Sequence, residues 1–101
     1  MILERDVERA LIRAVRRAGG LCLKFTSPGW IGAPDRLCLL PEGKIFFVEL
    51  KRPGAKPRHL QLKRHEELRK LGFPVYVIDS KEECYELVKQ GTTAFVPEVC
   101  G

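Results

Sequence analysis

The run Ile45-Phe46-Phe47-Val48 leads straight into Glu49-Leu50-Lys51, and no other stretch restricts the fold as tightly. Four consecutive large apolar residues, β-branched or aromatic, read as a strand lying deep in a sheet. Side chains alternate along a strand, so Glu49 and Lys51 point one way and Leu50 the other. A carboxylate and an ammonium at the end of such a strand are costly unless paired, solvated or metal-bound. Asp35 opens a preceding strand-like run, Arg36-Leu37-Cys38-Leu39-Leu40, and a hairpin would bring it beside Glu49. Two hard oxygen ligands with an adjacent lysine describe a magnesium-dependent phosphodiesterase centre. From spacing alone, a solvated strand end or a salt bridge competes with that reading. Glu42-Gly43-Lys44 repeats the triplet but occupies a Pro/Gly turn, which would not hold ligands rigidly.

Around this centre the pattern predicts a helix over 3–18, with Leu3, Val7, Ala10, Leu11, Ala14, Val15 and Ala18 at helical spacing and Gly19-Gly20 as the stop. A strand is expected at 21–25, a Pro/Gly loop at 26–34, and strands at 35–40 and 44–51. The loop 52–57 precedes a helix over 58–71, whose narrow apolar stripe runs through Leu60, Lys63-Arg64, Glu67-Leu68 and Leu71, with Gly72 ending it. Val75 to Ile78 reads as a short buried strand. Ser80 and Glu83 form a capping box for a helix through about Gln90, and Ala94-Phe95-Val96 reads as a final short strand. The order α-β-β-β-α-β-α predicts an α/β domain with a mixed central sheet flanked by helices. A chain of 101 residues supports one such domain, 1–101.

The net charge of +5 and pI near 9.2 favour polyanionic partners. The basic residues cluster, since Lys51, Arg52, Lys56, Arg58, Lys63 and Arg64 lie in a segment without an acid. Cys22, Cys38, Cys84 and Cys100 show neither C-x-x-C spacing nor a histidine cluster, which excludes zinc-finger and thioredoxin readings. The first three lie in apolar runs and read as buried thiols. No signal peptide, transmembrane run or lipidation motif is visible, so a soluble cytoplasmic protein is expected, and the compact stand-alone domain suggests a phage or bacterial origin.

Asp35 alone would be an ordinary turn residue after proline. Glu8 shares a helix flank with Leu11, Ile12 and Val15, where a solvated acid is common, and Glu4 and Asp6 compete with it. Gln61, between Leu60 and Leu62, resembles the wet side of a helix. His59 and His65 are six apart and do not share a helix face, so a two-histidine metal site is not expected.

Taken in order, Lys24-Phe25-Thr26-Ser27-Pro28-Gly29, Gly32-Ala33-Pro34-Asp35-Arg36, Val48-Glu49-Leu50-Lys51-Arg52-Pro53-Gly54 and Gln61 closely resemble the virus-type replication-repair nuclease (VRR-NUC) domain. That domain is a branch of the PD-(D/E)xK nuclease superfamily, and the resemblance runs from about Glu4 to Asp79. It implies a restriction-endonuclease-like core. It implies Asp35 and Glu49 as metal-ligating carboxylates, the Leu50 carbonyl as a further ligand, and Lys51 as the group that orients or activates water. Glu8 matches the acid of the family's first helix, by helix register without a tight motif, and Gln61 the glutamine after the lysine strand.

The function so implied is a Mg2+-dependent DNA endonuclease for structured or branched DNA, with Mn2+ expected to substitute. Small superfamily members resolve Holliday junctions as homodimers, and a two-fold enzyme suits a four-way junction. Lys24, Arg36, Arg52, Lys56, Arg58, Lys63 and Arg64 are the expected DNA-backbone contacts. A less selective nickase or flap nuclease working with helicase or repair partners is the alternative enzyme, and a non-catalytic DNA-binding module of the same fold is the alternative class.

Overall fold

Alternation along the strand that ends in Glu49 divides this protein into two layers. The computed structural model describes residues 1–93. In chain order it contains α1 (Glu4–Arg17), β1 (Leu21–Lys24), β2 (Arg36–Leu40), a 3-10 turn (Pro41–Gly43), β3 (Lys44–Leu50), α2 (His59–Lys70), β4 (Val75–Ile78) and α3 (Lys81–Thr93). The sheet order is β1-β2-β3-β4. The first two pairings are antiparallel and β3 pairs with β4 in parallel, so the sheet is mixed as expected. The strand expected at 94–96 and Cys100 lie outside the described residues.

Phe46, Val48 and Leu50 point to one face. There they join Cys38 and Leu40 of β2 and Ile78 of β4 against Val7, Leu11, Ala14 and Val15 of α1 and Cys84, Leu87 and Val88 of α3. Each of these larger aliphatic side chains contributes about 1.5–3 kcal/mol by leaving water. The cross-strand partners Cys22 and Cys38 sit at this face with their sulfurs 3.8 Å apart, and both are free thiols, as is the buried Cys84.

The opposite face carries Phe47, which meets Phe25 and Phe73 edge to face at 5.3 and 6.3 Å. Two residues further along β3, the same face carries Glu49. Helix α2 covers only this end of the sheet, and Leu21, Leu23 and Ile45 remain partly exposed beyond it.

Helix α2 corrects one expectation. Its apolar stripe is not its contact face, because Leu60, Leu62 and Leu71 are exposed and His65 is the residue it buries. The end of the sheet beneath it is polar, so its orientation is set by groups that satisfy Glu49. Helix α3 is capped by Ser80 Oγ, which accepts the Glu83 N–H at 3.2 Å, while the Glu83 carboxylate accepts from Asp79 N at 2.9 Å. It continues past Gln90 to Thr93, since a lone Gly91 costs a helix only about 1 kcal/mol.

Gly20 turns the chain from α1 into β1 where no side chain fits. A Cβ there would lie 2.2 Å from the Leu39 carbonyl oxygen and 2.9 Å from Leu40 Cδ2. Gly20→Ala is therefore expected to destabilise the fold by about 2 kcal/mol or more. Chemical denaturation checks this; an unchanged midpoint would contradict the close packing of α1 on β2.

Candidate active site

Strand register assembles the acid pair. Arg36 lies opposite Val48, so the same register carried one residue further sets Asp35 opposite Glu49. The Phe25 N–H, bonded to the Asp35 carbonyl at 2.9 Å, extends the β1–β2 pairing to this point. The Asp35 side chain reaches across to β3, where Oδ2 accepts the Leu50 N–H at 2.8 Å. That bond fixes the carboxylate against the Glu49 strand.

Glu49 is 1% exposed. An isolated carboxylate so buried would cost several kcal/mol, and three side chains answer it. Gln61 Nε2 donates to Oε2 at 2.9 Å, Lys51 Nζ lies 3.5 Å from the same oxygen, and His65 Nε2 lies 3.2 Å from Oε1. Burial first, and then the charge of Asp35, push the Glu49 carboxyl up to about 8. Burial likewise holds the His65 ring below its usual value, so it is neutral near pH 7. Against an ionised Glu49, the ring proton must sit on Nε2. His65 Nδ1 is then the buried polar side-chain atom without a partner among the described residues.

Gln61 is fixed at both ends. Its Oε1 accepts the Arg58 N–H at 2.7 Å, closing the first turn of α2, while its Nε2 serves Glu49. Only this amide orientation satisfies both partners. The residue that looked like the wet side of a helix is thus its cap and a support of the acid pair.

Glu8 and Arg36 meet each other. Arg36 Nε and Nη2 lie 3.0 and 2.9 Å from Glu8 Oε2, and Nη1 donates to the Cys22 carbonyl at 3.2 Å. Arg64 is also engaged. Its Nε donates to the Ile31 carbonyl at 2.8 Å, Nη1 pairs with Glu67 at 2.9 Å, and the guanidinium lies 5.3 Å from the Trp30 ring centroid. Gly32 lets the loop approach this closely, at φ +93° with a Cβ position 3.1–3.2 Å from Leu60 and Arg64. The loop entering Asp35 is therefore pinned to α2. Lys24, Arg52, Lys56, Arg58 and Lys63 are exposed and form no ion pair among the described residues.

The residue that sequence reasoning missed is His65. Paired only with His59 it had no function, yet it lies four residues from Gln61, and that spacing puts both on the helix face that meets Glu49.

The donor set suits a small hard cation. Mg2+ is commonly held by one or two carboxylates, with water and phosphate completing its shell. Asp35 and Glu49 supply two carboxylates whose mutual repulsion a divalent ion would relieve, and no group of three or more His, Cys, Asp or Glu is arranged as ligands among the described residues.

A neutral isostere tests this electrostatic conflict. A carboxyl raised in the fold from 4.5 to about 8 favours the folded state while protonated, and loses that advantage as pH rises through this window. In EDTA, Glu49→Gln is therefore expected to raise the unfolding midpoint more at pH 9 than at pH 5. A midpoint lowered equally at both would show that Glu49 is not held against its charge.

Comparison with known proteins bears on this geometry. No family model matches the chain. A phage protein described as "Putative nuclease p44", from Acyrthosiphon pisum secondary endosymbiont phage 1, is 50% identical over 82 residues, covering 81% of this chain and 88% of that protein. A solved structure described as "VRR_NUC domain" superposes with a TM-score of 0.79 and 38% identity, over 85% of this chain and 94% of that one. Its mixed four-stranded sheet with flanking helices is the fold seen here. At this identity and coverage, the chain is a nuclease and belongs to the VRR-NUC family.

Proposed function

We propose that the protein is a Mg2+-dependent DNA endonuclease acting on structured or branched DNA, resolving four-way junctions as a homodimer. The observation that carries the catalytic part is the register-set apposition of Asp35 and Glu49 with Lys51 on the same side. In this reading Asp35, Glu49 and the Leu50 carbonyl would hold the ion; Glu8, expected as a further ligand, is paired with Arg36 on the α1 side and is not grouped with them among the described residues. A bound divalent ion would supply Lewis acidity at the scissile phosphate and lower the pKa of water there.

The chain's own residues do the remaining work. Lys51 places positive charge where the pentacovalent phosphate gains negative charge, and its ammonium, already 3.5 Å from Glu49, orients the attacking water. Gln61 and His65 hold Glu49 in one rotamer, so the acid pair needs no rearrangement when substrate arrives. Lys24, Arg52, Lys56, Arg58 and Lys63, all exposed, hold the DNA backbone without reading sequence. The partly exposed Leu21, Leu23 and Ile45, on the sheet face that α2 leaves open, give a second copy a surface to cover. No helix among the described residues is long and apolar enough to cross a membrane.

Cleavage of labelled four-way junction, flap, single-stranded and linear duplex DNA tests the reading. Mg2+-dependent, paired symmetric nicks across the branch point are expected, with activity abolished by EDTA. Asp35→Ala and Glu49→Ala should lose at least about 10³-fold, and Lys51→Ala about 10²–10³-fold. Undiminished cleavage by either acid variant would overturn the catalytic assignment, and single unpaired nicks would replace junction resolution with a less selective nickase or flap activity. Gln61→Glu keeps the cap acceptor but sets a like charge against the buried Glu49 in place of its donor, so about 10–100-fold weaker Mg2+ activation and a lowered melting temperature in EDTA are expected. Metal titrations of activity, paired with thermal melts, check both.

A further inference from the structure

Helix α1 carries five arginines, Arg5, Arg9, Arg13, Arg16 and Arg17, which the chemistry at Asp35 and Glu49 does not use. Their spacing places Arg5, Arg9, Arg13 and Arg16 on the side opposite Val7, Leu11, Ala14 and Val15, while Arg17 lies at the edge of that side, one face position from the buried Ala10. All five are exposed, and none has an ion-pair partner among the described residues. Of the helix's three acids, two are committed elsewhere, and Glu4 forms no ion pair among the described residues. Asp6 accepts the Leu3 N–H at 2.8 Å at the start of the helix, and Glu8 is bound to Arg36.

Arg5–Arg9, Arg9–Arg13 and Arg13–Arg17 are like-charged neighbours at i,i+4, an arrangement that works against the helix. Favourable interaction with the helix dipole explains Arg16 and Arg17 in the last turn. It does not explain Arg9 or Arg13, and it disfavours Arg5. Arg9, Arg13, Arg16 and Arg17 with Ile12 line an open cleft of about 460 Å3. The stripe from Arg5 to Arg17 spans about 18 Å at 1.5 Å per residue, which matches about five steps of a duplex at 3.4 Å per step.

We propose that the outer face of α1 is a second DNA-backbone site, which holds a duplex arm other than the one being cut. Resting on the reading that the enzyme acts on branched DNA, it gives that preference a physical source. The two sites lie on opposite layers, because α1 packs on the face of Val48 and Leu50 while Glu49 faces α2. A straight duplex seated over Asp35 and Glu49 leaves α1 uncovered, and a molecule with extents of 33 × 32 × 22 Å is thin enough for two arms of one junction to reach both layers. Guanidinium groups suit phosphates through paired, planar hydrogen bonds. Engaging both sites at once makes the second contact intramolecular, so a junction gains over a duplex with no base read.

The test compares binding of a four-way junction and a short linear duplex, in EDTA, across a salt series. The full-length protein is set beside the triple variant Arg9→Ala/Arg13→Ala/Arg16→Ala and its lysine counterpart, Arg9→Lys/Arg13→Lys/Arg16→Lys. Alanine favours helix, and circular dichroism confirms that the fold is kept. The alanine variant is expected to bind the junction at least about tenfold more weakly, with the slope of log K against log salt reduced by about 2 to 3. Its affinity for the short duplex should fall only about twofold, and the lysine variant should keep most of the junction's salt slope. Unchanged junction affinity and slope in the alanine variant would overturn the proposal. So would an equal loss on both DNAs, which would make α1 part of one groove with the catalytic face. An unsubstituted protein that cleaves DNA but binds junction and duplex alike would overturn the second site and leave the nuclease reading standing, whereas one that neither binds nor cleaves DNA would overturn both.

Discussion

Glu49 is a charge-bearing group placed where water does not reach, and the architecture around it follows from that conflict. It sits on β3, whose other face builds the apolar core with α1 and α3. Moving it out of register by one residue would put a carboxylate into that core and Leu50 into the site. Its burial is tolerable because Gln61, His65 and Lys51 converge on its two oxygens. Helix α2 has so little apolar contact that this polar cluster, with the Arg64 clamp on the preceding loop, is what seats it on the sheet.

The site is consequently built before substrate or metal arrives. Asp35 is tied to the Leu50 N–H, and the loop leading to it is tied to α2. Side chains held this way need no rearrangement, and the remaining tension is the burial of Glu49 and its repulsion by Asp35. A divalent cation bound there, as proposed, would relieve that tension.

Asp35, Glu49 and Lys51 were legible in the sequence because their proximity follows from strand alternation and a short hairpin, both local rules. The mixed sheet was legible for the same reason, through the runs of apolar residues and the turn signals between them. The contact face of α2 was not. Helical periodicity weighs Leu60, Leu68 and Leu71, while the helix is in fact oriented by Gln61 and His65, whose value depends on a carboxylate from another element. Charge patterns are blind to partners in a related way. Arg36 and Arg64 read as DNA contacts alongside Lys56 and Lys63, but a count of charges does not show that Glu8, Glu67, Trp30 and backbone carbonyls engage two of them.

The two-ended amide of Gln61 has a consequence for how this protein fails. The bond to Arg58 N closes the first turn of α2, and the bond to Glu49 holds the acid, so both depend on one side chain in one orientation. Fraying of that turn would take away one of the carboxylate's three partners at the same moment. Helix starts are among the first places to open in a native protein. Under the proposed mechanism, such an opening would unsettle the metal-binding carboxylate before the rest of the fold loosens, so loss of activity would precede loss of structure.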